Sequence, residues 1–200
     1  MRVKSENPAG LLAGRSVHPI VAAYFELSQL KRLYRQGWLL RGLNEARCET
    51  VADHTFAAGV LALWVAGAYF PQLDLGKILQ MVLLHELGEI YAGDIVPTDG
   101  MEPAEKHRLE AESFRAVVDK IPGGESFIGI WEEFEAGETP EARFVRQIDR
   151  LEMGLQAGVY QLEGASGMAE FLASARRALE HPRLVEILDS LEQDALAELE

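Results

Sequence analysis

Apolar residues recur at three- and four-residue steps along almost the whole chain, and no run alternates apolar with polar for long enough to build a strand. A period near 3.6 lines one face of a helix and a period of two lines one face of a sheet, so the pattern dictates an all-α fold. Ser16 and Pro19 open a helix that carries Ile20, Tyr24, Leu27, Leu30 and Tyr34 and ends at Gly37. Residues 38 to 50 read as a connector, and a second helix runs from Val51 to Phe70, stopped by Pro71. Asp74 caps a third that ends near Glu89, where Gly88 and Gly93 loosen the backbone ahead of a loop at Asp94 and Pro97. Further helices are expected over 103 to 120, 126 to 135, 140 to 160, 167 to 179 and 183 to 199, with Thr139 and Pro140 as the cap and first turn of the longest. The Gly-rich, polar residues 1 to 15 read as a loose N-terminal arm, and residues 16 to 200 as a single helical domain.

The third of these helices carries the chemistry. In Ile78-Leu79-Gln80-Met81-Val82-Leu83-Leu84-His85-Glu86-Leu87 nearly everything except His85 and Glu86 is apolar. Such a run is expected inside the protein, where an ionisable pair costs several kcal/mol unless something neutralises it, and a metal ion is the usual neutraliser. Glu89 follows on the same face and Asp94 adds a third carboxylate, so the acidic groups would raise one another's pKa unless a cation compensates. Arg41 or Lys106 could supply that charge without a metal. If a metal does, imidazole and carboxylate oxygen together suit a first-row divalent ion such as Mn, Co, Fe, Ni or Zn better than Ca. The run also approaches the zinc-protease pattern H-E-x-x-H, but Glu89 stands where the second His is required. His54 and Asp149 say little alone: the first is a single helical His, and the second has Arg146 as a helical ion-pair partner three residues earlier.

Composition narrows the partners. A net charge of −13 argues against nucleic acid, whose backbone needs a basic surface. Lys31, Arg32, Arg35, Arg41 and Arg47 nevertheless concentrate positive charge enough for a small anionic substrate. Cys48 is the only cysteine, so no intrachain disulfide forms and a reducing, cytoplasmic compartment is expected. The N-terminus shows no leader pattern, and the most apolar stretches meet His, Glu, Gln or Pro before spanning length, so no membrane partner is expected. The amphipathic helices suggest a homodimer.

With His54, His85-Glu86 and Asp149 in order, the chain resembles the HD-domain metal-dependent phosphohydrolases, and more narrowly their 5'-deoxynucleotidase branch. Gly37-Trp38-Leu39-Leu40-Arg41, Val51-Ala52-Asp53-His54, Leu84 to Ile95, Glu105-Lys106-His107-Arg108, Trp131 to Glu135 and Phe144 to Asp149 carry the likeness over about residues 20 to 190. The family doublet is His-Asp, and here it is His-Glu.

This resemblance implies an HD-type helical bundle holding one divalent ion, of the kinds named above or Mg, on His54, His85, Glu86 and Asp149. It implies that Glu89 orients or deprotonates the attacking water and that Asp94 acts near the leaving 5'-oxygen. Trp38 would pack on the sugar and disfavour a 2'-hydroxyl, while Arg41 and, more weakly, Lys106 would meet the phosphate. The expected reaction is hydrolysis of deoxyribonucleoside 5'-monophosphates to nucleoside and phosphate. Another small phosphorylated substrate, or a non-catalytic regulatory module weakened at Glu86, are the alternatives.

Overall fold

The computed structural model describes residues 1–197, with side chains described to residue 191, and among them holds ten α-helices and no strand. These are α1 (Pro19–Leu27), α2 (Gln36–Leu40), α3 (Val51–Tyr69), α4 (Leu75–Leu84), α5 (Glu89–Ala92), α6 (Pro103–Val118), α7 (Glu125–Ala136), α8 (Pro140–Leu162), α9 (Ala169–Ala178) and α10 (Pro182–Ala197). The all-α reading holds. The final residues of the helix expected over 183 to 199, and of the domain expected to end at 200, lie outside the described residues.

Caps work where the residue types call for them. Asp74 accepts a hydrogen bond from the Lys77 N–H at 3.1 Å, and Thr139 accepts one from Ala142 at 3.3 Å. Thr50 and Asp53 form a reciprocal capping box at the start of α3, satisfying donors that every helix N-terminus leaves free. That box fixes the first turn, on which His54 stands.

Several expectations are corrected. The first helix stops at Leu27 rather than at Gly37, and Gly37 lies inside α2. Residues 28 to 35 leave the helix because they are drawn across the start of α3: Val51 and Ala52 donate to the carbonyls of Leu33 and Leu30, and Arg35 donates to that of Glu49. The stripe on α1 is also turned around, with Ile20, Tyr24 and Leu27 exposed while Ala23 and Glu26 are buried. Glu26 tolerates burial because Lys120 and the Tyr91 hydroxyl both donate to its Oε1.

The third helix ends at Leu84, and His85 to Gly88 form tight turns before α5. Gly88 is needed there for close approach, since a Cβ would lie 2.9 Å from Cβ of Glu110 on α6. The run is not buried on all sides either: Ile78, Met81 and Val82 are buried, but Leu83 is exposed. Residues 1 to 15, expected as a loose arm, are docked. Gln36 exchanges two hydrogen bonds with the backbone of Arg2, Lys4 donates to the Arg32 carbonyl, and Pro8–Leu12 form a 3-10 helix with Pro8 buried.

Among the described residues α3 alone is long and apolar enough to cross a membrane, so His54 does not interrupt it as the sequence suggested. Here it is a core helix burying His54, Ala58, Ala62, Val65 and Ala66.

The apolar interior falls into two clusters, a larger one including Ala58, Met81, Phe134 and Ile148, and a smaller one including Val51, Leu87, Phe114 and Trp131. His54 sits between Val51 and Ala58 on α3, and His85-Glu86 between Val82 and Leu87. The polar site thus occupies the seam where two cores meet.

Candidate metal centre

His54, His85, Glu86 and Asp149 each offer one atom, and the four atoms lie within 4.8 Å of one another. His54 Nε2 is 3.2 Å from Asp149 Oδ1, and both it and His85 Nε2 are 3.5 Å from Glu86 Oε1. α3 supplies His54, the turn after α4 supplies His85 and Glu86, and α8 supplies Asp149. Packing of three separate helices therefore sets the geometry.

Both imidazoles are tied by their far nitrogen. His54 Nδ1 lies 2.5 Å from Glu152 Oε2, and His85 Nδ1 lies 2.6 Å from the Val82 carbonyl. Both Nε2 atoms are buried with no hydrogen-bond partner. A buried ring nitrogen without a partner is costly, and two of them facing two carboxylates are the donor set of a divalent cation. The residues present fit such an ion. Glu86 reaches the common point despite its extra methylene, with Arg35 Nη1 donating to it at 3.0 Å.

The electrostatics follow from burial and charge. Burial and the Arg35 charge oppose a proton on His54, but the facing carboxylates of Asp149 and Glu152 outweigh them and push its pKa up to about 10. Burial opposes ionisation of Asp149 and Glu86. His54 nevertheless holds Asp149 well below the usual carboxylate range, and His85 and Arg35 hold Glu86 down. Glu89 goes the other way: it is 3% exposed, its Oε2 has no partner, and burial with Glu86 and Asp94 nearby raises it well above normal. Asp94 is raised by burial too. It accepts from the Gln36 N–H at 2.5 Å. Gly93, at φ +85°, turns the chain toward it from α5.

A cleft of about 930 Å³ opens over this floor, lined by His85, Glu86, Glu89, Asp94, Asp149 and Trp38 and by the more exposed Arg41 and Lys106, which mark its mouth. Trp38 is 2% exposed; its ring lies 4.2 Å from that of Phe171 and its Nε1 donates to Glu49 at 2.8 Å. Arg41 is committed to Glu170 through both Nε and Nη2. Lys106 donates to the Ile95 carbonyl and sits 3.4 Å from Glu110.

Sequence reasoning gave Arg35 no role beyond membership of a basic cluster. It is the cation nearest the candidate ligand Glu86, at 3.0 Å, and lies 4.0 Å from Asp94. Glu152 and Glu49 were missed outright. A signal for Glu152 existed: it lies three residues after Asp149 on the buried side of α8, so both carboxylates reach one histidine.

Comparison with known proteins decides the family. The HD domain model matches residues 27–184, more than three quarters of the chain. The chain belongs to the HD domain family. It is 32% identical over 199 residues to the 5'-deoxynucleotidase HDDC2 of Bos taurus, covering 98% of this chain and 95% of that one. With the human 5'-deoxynucleotidase HDDC2 it shares 34% identity over 172 residues, 84% of this chain and 82% of that. Among solved structures, the PH0347 protein of Pyrococcus horikoshii OT3 superposes with a TM-score of 0.74 at 31% identity, over 86% of this chain and 98% of that one.

Proposed function

We propose that this HD-domain protein is a metal-dependent phosphomonoesterase that hydrolyses deoxyribonucleoside 5'-monophosphates to nucleoside and phosphate. The observation that carries the reading is the convergence of His54, His85, Glu86 and Asp149, with two orphaned Nε2 atoms, on the floor of a nucleotide-sized cleft. The names of the HDDC2 relatives supply the substrate class.

A divalent ion, of the Mn, Co, Fe, Ni, Zn or Mg kind, would be held by those four residues, and when bound would supply Lewis-acid polarisation of the phosphoryl group and a more acidic water. Glu89, with its free buried oxygen, takes the proton of the attacking water. Asp94, whose carboxyl burial holds above its usual range, returns a proton to the 5'-oxygen as the P–O bond breaks. Arg35 balances the carboxylates and is the better placed guanidinium for the phosphate, because Arg41 must first give up Glu170. Trp38 walls the sugar and disfavours a 2'-hydroxyl, and Lys106 adds positive charge at the mouth.

We further propose a homodimer in which a second copy covers the exposed apolar face of α3, where Phe56, Leu63 and Trp64 stand at helical spacing. The buried, unpaired Cys48 suits a reducing, cytoplasmic setting.

Metal analysis of purified protein, then phosphate release from ribo- and deoxyribonucleoside 5'-monophosphates with Mn, Co or Mg, tests the activity. Release should be metal-dependent and faster for the deoxy series. No release with any of the three ions would overturn the reading.

A further inference from the structure

Beyond His54, on the side turned away from the cleft, two carboxylates lie that the proposed reaction does not use. Glu152 is 4% exposed, and the hydrogen bond described for its side chain is the one to His54 Nδ1 at 2.5 Å. Glu49 offers an oxygen within 4.8 Å of both Glu152 and His54. Neither residue lines the cleft over the metal centre.

We propose that Glu152 is a positioning residue for the metal centre: it holds the Nδ1–H of His54 and so aims the Nε2 lone pair at the ion. The inference rests on the four-ligand reading above and deepens it. Packing alone would not place a carboxylate here, since a buried carboxylate is expensive and a leucine or methionine would fill α8 more cheaply. Glu152 repays its burial only through His54. An imidazole whose far nitrogen donates to a carboxylate is locked in one tautomer and one ring orientation and is a more basic ligand. His85 receives the weaker version of the same restraint, from the Val82 carbonyl. The two ligands are thus unequal, and His54 is the one whose strength depends on a side chain. Glu49 accepts from Trp38 instead, and makes no described hydrogen bond to His54.

The test is zinc affinity of the metal-stripped full chain, measured by competition with a chromophoric chelator, for Glu152→Gln, Glu152→Leu and Glu49→Gln. Outer-sphere partners of this kind are worth about 10- to 100-fold in affinity. Glu152→Leu should approach the larger loss. Glu152→Gln, whose amide oxygen still accepts from Nδ1–H, should show a loss of about tenfold. Glu49→Gln alters a neighbouring half-buried carboxylate but not the His54 bond, so its loss should stay within about threefold, a fraction of that range. In the zinc-loaded protein, NMR should find the His54 Nδ1–H proton moved upfield in Glu152→Gln, with that of His85 unmoved.

Wild-type zinc affinity in Glu152→Leu would overturn the proposal. So would an equal loss in Glu49→Gln, which would mark a packing effect. If Glu152→Leu does not fold, Glu152→Gln decides by both readouts. Affinity losses as expected in a protein that releases no phosphate would leave the positioning role standing and remove only the substrate reading.

Discussion

Arg41 at the cleft mouth holds Glu170 in an ion pair whose side chains are 35% and 51% exposed, whereas on the floor the corresponding figures for His54 and Asp149 are 0% and 20%. The floor is preorganised. Its groups are fixed by α3, α8 and the turn after α4, and no water competes for His54. At the mouth Arg41 and Lys106 are already paired with Glu170 and Glu110, and under the proposed reading a substrate exchanges those partners for its own. The Arg41–Glu170 pair is of the exposed kind that contributes only about 0 to 1 kcal/mol, so its exchange costs little. The proposed reading thus assigns metal binding to the rigid side and part of substrate contact to the side that can rearrange.

Substitutions on each side should break or sharpen this contrast. The largest effect is expected for Asp149→Asn, which removes a floor ligand: activity with the best metal should fall by about 10³-fold, the several kcal/mol that a Lewis acid supplies. Phosphate release within tenfold of wild type would place the metal elsewhere. Next comes Arg35→Gln, which leaves Glu86 and Asp94 without their buried counter-charge and should cost about 3 kcal/mol in urea unfolding. Arg41→Gln, at the mouth, should cost less than about 1 kcal/mol. Equal losses for the two arginines would erase the distinction between floor and mouth.

Glu49→Gln gives a smaller, pH-dependent effect. Burial, the Glu152 charge and incomplete compensation by Arg35, His54 and the Trp38 N–H push the Glu49 carboxyl up to about 7, from 4.5 when unfolded. The folded protein therefore binds this proton more tightly than the unfolded chain. Its stabilising contribution is present below pH 4.5 and is lost as pH rises through about 7. Glutamine cannot ionise, so the variant should match wild type near pH 5 and gain about 1 to 2 kcal/mol at pH 8. A gain of the same size at both pH values would show that ionisation is not the cause. The smallest change is expected for Glu86→Asp, which restores the family doublet: activity should stay within about tenfold, or about 1.4 kcal/mol. Loss of metal in that variant would mean that the floor has adjusted to the longer side chain.

Much of the architecture could be read before any coordinates. Helical spacing, Asp74, the Thr139-Pro140 start and the stop at Pro71 depend on contacts within four or five residues, and local rules see those. The order His54, His85-Glu86, Asp149 likewise pointed to one family and its ligand set. Where local rules failed, the cause was a contact distant in sequence. Residues 28 to 35 have a helical pattern, but the backbone of 49 to 52 claims their carbonyls and N–H groups and brings Arg35 to the metal centre. Gln36 docks the N-terminal segment in the same way.

The sequence by itself determined the helical class, most helix limits and the residue types able to bind a divalent ion. Only the tertiary structure decided that His54 has its back to Glu152, that Arg35 rather than Arg41 neutralises the site, and that α1 turns its apolar stripe outward. Each of those depends on which helix packs beside which. Burial then sets the cost of a charge, and the neighbour across the interface decides whether that cost is met.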